Sequence, residues 1–414
     1  MRDIGRVITQ AVILVGGQGT RLGPLTTTVP KPMLQCGDRP FLAWILRELC
    51  RYGITETLLL AGHLAPVIEA AVPALIARLP RPMRVRVLTE PSPAGTGGAL
   101  VHARPALADR FLLLNGDSWL DTPLSPLVAG PAGNMLVHRV PDGSRFGRVT
   151  LQDGAVRSFA EKAGPGPALV NAGVYALGRG MLDGVGAHAS LEHDRLPGLA
   201  QAGALRATIG TGLFVDIGLP STLAQAQTVL PAVLRRPALF LDRDGVINHD
   251  HGYVGTIDRF DLIDGALDAI ADATRAGWHV FVVTNQSGIA RGHYDVAAFE
   301  ALMRHLLNQV LAAGGTIDDV RYCPTHPEAP LPQWRRESDW RKPAPGMILD
   351  LIARWELDPA NCLLVGDQPS DLAAAAAAGV QGQLFPGGNL QAFLRPLLTR
   401  PANNPNQRSA IHSL

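Results

Sequence analysis

Asp242 and Asp244 flank Arg243 at the end of the apolar run 238–241, in the stretch FLDRDGVIN. Two carboxylates two residues apart at a strand end can divide phosphoryl chemistry between them, one attacking phosphorus and the other carrying a proton. A second chemically capable group lies far upstream, in AVILVGGQGTRLGPLTTTVPKPML. There an apolar run enters Gly16, Gly17 and Gly19, whose missing Cβ atoms let backbone N–H groups approach an anion. Arg21 and Lys31 add positive charge. Alone, DRDG or GGQG is also an ordinary turn, and only accompanying motifs give either one weight.

The elements that must position these residues follow a regular rhythm. The short runs AVILV, ETLLLAG, FLLLNGD, HVFVVTN and CLLVGD alternate with helical stretches at 41–52 and 299–313. This pattern predicts parallel α/β units whose strands deliver polar side chains to the carboxyl edge of a sheet. STLAQAQTVLPAVL reads as a closing helix, which places a domain boundary after Leu234 and divides the chain into 1–234 and 235–398. The polar, proline-broken stretch TRPANNPNQRSAIHSL predicts a disordered tail over 399–414. At 414 residues and 47% hydrophobic, the chain is long enough for two cores.

With Lys+Arg 37 against Asp+Glu 36, the net charge of +1 excludes the basic footprint of a nucleic-acid binder. Cys36, Cys50, Cys323 and Cys362 form no CxxC pair, which fits a reducing, cytoplasmic setting. The run 11–15 is too short for a signal or membrane segment. Small molecules are the expected partners, with self-association left open.

The N-terminal motifs GGQGTRL, VPKPM, EPSPAGTGGAL, LNGD, FAEK, NAGVY, SLEHDRLP and DIGLP stand in an order that resembles the sugar-1-phosphate nucleotidyltransferases. Within that group, residues 10–230 look most like the D-glycero-D-manno-heptose 1-phosphate guanylyltransferases. The resemblance implies a Rossmann-like, GT-A-like domain in which Gly16, Gly17, Gly19 and Thr20 cradle the triphosphate, with Arg21 and Lys31 neutralising charge. It implies that Glu90, Gly95, Thr96 and Gly97 contact base and ribose, and that Glu161, Lys162 and Asn171 contact the sugar phosphate. It also implies that Asp117 and Asp216 hold Mg²⁺. Such a reaction asks mainly for positioning and charge neutralisation while a sugar phosphate oxygen displaces pyrophosphate from the α-phosphorus.

FLDRDGVIN, VVTNQSGIARG, RKPAPGM and LLVGDQPSDLAAAAAAG form a second ordered set, which resembles the haloacid dehalogenase superfamily phosphatases. The resemblance implies a second Rossmann-like domain. It makes Asp242 the nucleophile and Asp244 the acid and base, with Thr284 and Lys342 on the phosphoryl oxygens. Mg²⁺ would sit on Asp242, Asp367 and the backbone carbonyl of Asp244. Only about 40 residues separate the first two motifs, too few for a large cap, so a capless domain is expected. NHDHGYVGTIDRFDLIDG and TNQSGIARGHY look like the heptose 1,7-bisphosphate 7-phosphatases, and Asn285, Arg291 and Arg341 are candidates for the substrate's distal phosphate and hydroxyls. That family carries zinc through a Cys-x-His and a Cys-x-Cys pair. Here Thr325, Ser338 and Trp340 stand at three of the four places, so no structural zinc is expected and packing of Trp334, Trp340 and the prolines is expected to order the loop.

Together the resemblances imply bifunctional heptose activation, with the phosphatase product serving as the transferase substrate. Histidinol-phosphatases share the four phosphatase motifs. A transferase for another sugar 1-phosphate fused to such an enzyme therefore stays open, as does one domain acting as a degenerate regulatory module.

Overall fold

The computed structural model describes residues 7–161, apart from the Glu161 side chain, and 164–398. Lys162 and the stretch from 399 lie outside the described residues. The chain divides between Leu234 and Arg235 into two compact units.

The first unit is built on a nine-stranded sheet. Its order is Arg84–Thr89, Glu56–Ala61, Gln10–Leu14, Arg110–Asn115, Ala168–Gly178, Asn134–Val140, Arg206–Gly210, Ala155–Glu161 and Gly147–Gln152. The first four strands are parallel, as their apolar runs predict, because a parallel strand covered on both faces needs side chains such as Val12, Leu58 and Leu113 on both sides. From Ala168–Gly178 onward antiparallel pairing dominates, an extension that the parallel rhythm does not foretell. The predicted helices at 41–52 and near the boundary are present as Phe41–Arg51 and Pro220–Leu234. A separate two-stranded ribbon pairs Ser118–Leu120 with Phe214–Asp216.

The second unit is a five-stranded, all-parallel sheet in the order Asp319–Cys323, His279–Asn285, Ala238–Leu241, Cys362–Gly366 and Gln381–Leu384. The central strand is buried along its whole length. Phe240 stacks on Phe281 of the neighbouring strand at 5.3 Å, and Trp355 closes on Phe281 at 5.4 Å. Burying each such ring contributes on the order of 1.5–3 kcal/mol. Among the described residues, no helix is long and apolar enough to cross a membrane.

Candidate active sites

In the second unit, three neighbouring parallel strands converge on one edge. Asp242 follows Ala238–Leu241 and continues the ladder, its N–H donating to the Val365 carbonyl at 3.0 Å. Thr284 lies near the end of His279–Asn285, and Asp367 follows Cys362–Gly366. The turn after Asp242 brings Gly245 against the Asp367 carboxylate. A Cβ there would collide with that carboxylate, and the φ of +81° also favours glycine.

Lys342 Nζ stands 2.8 Å from Asp242 Oδ2 and 2.6 Å from Asp371 Oδ1, and donates to the Val283 carbonyl at 2.9 Å. Burial alone would depress its pKa, but Asp242 and Asp371 outweigh that and hold the ammonium above the usual lysine range. Burial is the largest influence on Asp242 and pushes its carboxyl up to about 7, with Asp371 and Asp244 adding to the rise and Lys342 opposing it. Asp367 is raised as well, again chiefly by burial.

One ammonium thus serves three carboxylates. Asp242, Asp367 and Asp371 bring oxygens within 4.8 Å of one another, a hard-oxygen donor set with uncompensated negative charge that fits a divalent cation such as Mg²⁺. Asp371 is a group that motif reading missed. Its signal was present in GDQPSD, where an aspartate four residues after Asp367 lies in the first turn of helix Pro369–Ala377. The Asp244 side chain is not in this carboxylate cluster. It accepts from Arg243 Nη2 at 2.8 Å, Asn248 Nδ2 at 2.9 Å and Gln286 Nε2 at 2.9 Å, so any share it has in a metal site falls to its backbone carbonyl.

Asn285, expected to face substrate, spends its amide on the Lys342 backbone. Its Oδ1 accepts from Lys342 N at 3.1 Å and its Nδ2 donates to the Lys342 carbonyl at 3.0 Å, a reciprocal pair that fixes the lysine. Arg291 lies 5.9 Å from the centre of the Tyr253 ring, and Arg341 reaches the Thr325 carbonyl at 3.5 Å. Both arginines bear on His326, whose pKa is lowered by burial first and then by Arg341 and Arg291, so the two cations face a common region.

In the loop after Cys323, Cys323 Sγ lies 3.3 Å from the buried Thr325 hydroxyl, and His326 Nδ1 accepts from Glu328 N at 3.1 Å. Trp334 packs on the core there, and Arg335 donates to the carbonyls of Ala329 at 2.6 Å and Pro330 at 3.0 Å. Trp340 lies against Gly346. Elemental analysis of purified protein is expected to find no stoichiometric zinc. About one zinc per chain, lost on Cys323→Ala, would contradict this.

In the first unit, strand Gln10–Leu14 runs into the open glycine loop, which is tied down at its far side. Thr26 donates to the carbonyl of Gly19 at 3.0 Å, and Gly19 itself has φ +64°. The chain continues as a 3₁₀ segment, Thr20–Thr26, leaving Gly17, Thr20 and Arg21 exposed. The Glu90 carboxylate rests against Gly16 and Gly62, where a Cβ on either glycine would crowd it, and accepts weakly from Ala94 N at 3.4 Å.

Gly95 and Gly97 sit where added Cβ atoms would press on the Ala189 carbonyl, which accepts from Gly97 N at 2.8 Å. Thr96 donates to Glu192 Oε2 at 2.6 Å and accepts from Leu191 N at 2.8 Å. These residues therefore dock the segment SLEHDRLP in addition to any ligand contact.

Asp117 and Asp216 are brought together by the ribbon, in which Asp216 pairs with Ser118 and Ile217 N donates to the Asp117 carbonyl at 3.0 Å. Lys31 Nζ lies 2.5 Å from Asp117 Oδ2, and Arg145 Nη2 lies 3.1 Å from Asp216 Oδ1. Asp216, Arg21 and Lys31 all crowd Gly218, whose bare Cα leaves room for them. Each carboxylate thus has a cationic neighbour, Lys31 at Asp117 and Arg145 at Asp216. Arg145 carried no sequence signal, since its role depends on a partner 71 residues away. Asn171 donates to the Tyr175 hydroxyl at 2.5 Å and accepts from Gly173 N at 3.0 Å. Lys162 and the Glu161 side chain lie outside the described residues.

The nucleotidyl transferase family profile matches residues 10–231, and an HAD-hydrolase-like profile matches 339–406. D-glycero-beta-D-manno-heptose-1,7-bisphosphate 7-phosphatase of Rhodopseudomonas palustris is 46% identical over 164 residues, covering 40% of this chain and 91% of that protein. D-glycero-alpha-D-manno-heptose-1,7-bisphosphate 7-phosphatase of Burkholderia mallei is 45% identical, covering 36% of this chain and 78% of that protein. The crystal structure of HddC from Yersinia pseudotuberculosis is 29% identical, covering 53% of this chain and 98% of that one at a TM-score of 0.47. Through residues 10–231, more than half its length, the chain belongs to the nucleotidyl transferase family, and through its C-terminal part to the phosphatase family of the Rhodopseudomonas palustris relative.

Proposed function

We propose that the chain carries out two consecutive steps of heptose activation, each in its own domain, 1–234 and 235–398. The 7-phosphate of D-glycero-D-manno-heptose 1,7-bisphosphate is hydrolysed, and GMP is then transferred from GTP to the heptose 1-phosphate with release of pyrophosphate. The observation that carries this reading is a nucleotidyl transferase unit joined to a unit 46% identical to a heptose bisphosphate phosphatase over 91% of that protein's length. The product of one reaction is then the substrate of the other.

In the phosphatase, an Asp242 oxygen attacks the 7-phosphorus while Asp244 protonates the departing sugar oxygen. Asp244 next takes a proton from water, whose oxygen displaces Asp242 and frees inorganic phosphate. Lys342 and Thr284 hold phosphoryl oxygens, and Arg291 and Arg341 receive the 1-phosphate. Asp242, Asp367, Asp371 and the Asp244 carbonyl here, and Asp117 and Asp216 in the transferase, would hold Mg²⁺, which would supply neutralisation of phosphoryl charge.

In the transferase, the Gly16–Thr20 backbone with Arg21 and Lys31 binds the triphosphate, and Glu90 with residues 95–97 binds the nucleoside. Glu161, Lys162 and Asn171 orient the sugar phosphate whose oxygen attacks the α-phosphorus. Arg145 adds a cation beside Asp216. Guanine as the base rests on the motif resemblance.

The test offers both anomers of heptose 1-phosphate with each of the four common nucleoside triphosphates, and, separately, heptose 1,7-bisphosphate and histidinol phosphate. Pyrophosphate release is expected with GTP, and phosphate release from the heptose. Turnover of another nucleotide in preference to GTP would reassign the base. Preference for histidinol phosphate would overturn the phosphatase assignment.

A further inference from the structure

Behind Asp244, a line of polar groups leads away from the reacting atoms. Gln286, 1% exposed, donates from Nε2 to Asp244 Oδ2 at 2.9 Å and to Thr284 Oγ1 at 2.8 Å, while its Oε1 accepts from the Tyr294 hydroxyl at 2.5 Å. A glutamine amide has nearly the same shape in either orientation, so its direction is set by its partners. Burial pushes the Tyr294 hydroxyl up to about 12, with Arg243 opposing, so the phenol keeps its proton and can only be the donor to Oε1. The ring is seated on bare backbone: a Cβ at Gly255 or Gly288 would collide with it.

We infer that Tyr294 is a positioning residue of the phosphatase, holding the Gln286 amide with its NH₂ toward Asp244 so that Asp244 stays placed to pass its proton to the leaving oxygen. The inference rests on the phosphatase reading proposed above. In the step concerned, the Asp242 oxygen–phosphorus bond forms, the phosphorus–sugar oxygen bond breaks with its electron pair on oxygen, and that oxygen takes the Asp244 proton. Without the phenol, the amide is free to invert and turn its carbonyl on Asp244. Thr284 can answer by rotating its hydroxyl, but Asp244 then loses the N–H that holds its Oδ2 in place.

Proton donation matters most where the leaving group is poor. A sugar alkoxide needs the proton, whereas 4-nitrophenolate departs without it. Tyr294→Phe is therefore expected to lower kcat on the heptose bisphosphate about tenfold with KM within about twofold, and to change hydrolysis of 4-nitrophenyl phosphate by no more than about twofold. Gln286→Met, close in shape but without the donor, is expected to show the same selectivity. Wild-type activity on both esters carries the phosphatase reading, and its failure would sink that reading. With wild-type activity intact, equal losses on both esters, or no loss on either, would overturn the role of Tyr294 alone.

Discussion

Asp242→Asn is expected to abolish phosphate release, by roughly a thousandfold or more, while nucleotidyl transfer by the same protein continues near its normal rate. The substitution keeps the side chain's shape but removes the proposed nucleophile, and leaves Lys342 beside a neutral amide instead of a carboxylate at 2.8 Å. Asp117→Ala is expected to do the reverse. It removes a carboxylate at the start of the ribbon and frees Lys31 from its 2.5 Å partner, costing nucleotidyl transfer on the order of a hundredfold to a thousandfold. Phosphate and pyrophosphate release measured on one preparation of each variant make the check. If either substitution silenced both reactions in a folded protein, the assignment of one chemistry to each unit would fail.

Lys342→Met is expected to destabilise the second unit strongly. The lysine is 4% exposed and is the ammonium between Asp242 and Asp371. Removing one partner from such a buried cluster typically costs about 3–5 kcal/mol, because the remaining charges lose their compensation. Activity is expected to be lost with it, since on the proposed mechanism the same ammonium holds phosphoryl oxygens.

The effect has a definite pH dependence. A carboxyl raised in the folded state, as Asp242 is to about 7, contributes stability that is present below its unfolded value near 4 and lost as pH rises through 7. In metal-free wild-type protein, the second unit's unfolding transition should thus weaken from about pH 4 to pH 7. In Lys342→Met the decline should be steeper, and Mg²⁺ should recover more stability in the variant than in wild type. Equal sensitivity to pH and to Mg²⁺ in both proteins would show that the carboxylates are not coupled through this lysine.

What the sequence determined by itself was local or strictly ordered along the chain. The apolar runs around Val12, Leu58, Phe240 and Val282 are legible as parallel strands, because a strand covered on both faces must be apolar on both. Since such strands end in polar residues at one edge, the arrival of Asp242, Thr284 and Asp367 at a common rim followed from strand direction alone.

Tertiary structure decided everything that depends on distant partners. No spacing rule joins Asp117 to Asp216; the two-stranded ribbon does, by pairing residues almost a hundred positions apart. The antiparallel edge of the first sheet was hidden because strands such as Ala155–Glu161 and Gly147–Gln152 mix exposed and buried positions and carry no continuous apolar run. Asn285 looked like a substrate ligand until Lys342, 57 residues on, claimed both ends of its amide. Asp371 was one helical turn from a recognised aspartate, yet only the fold shows it turned inward onto Lys342. Hydrogen bonds and ion pairs act over about 3 Å whatever the separation in sequence, and linear motifs record only the partners that lie close along the chain.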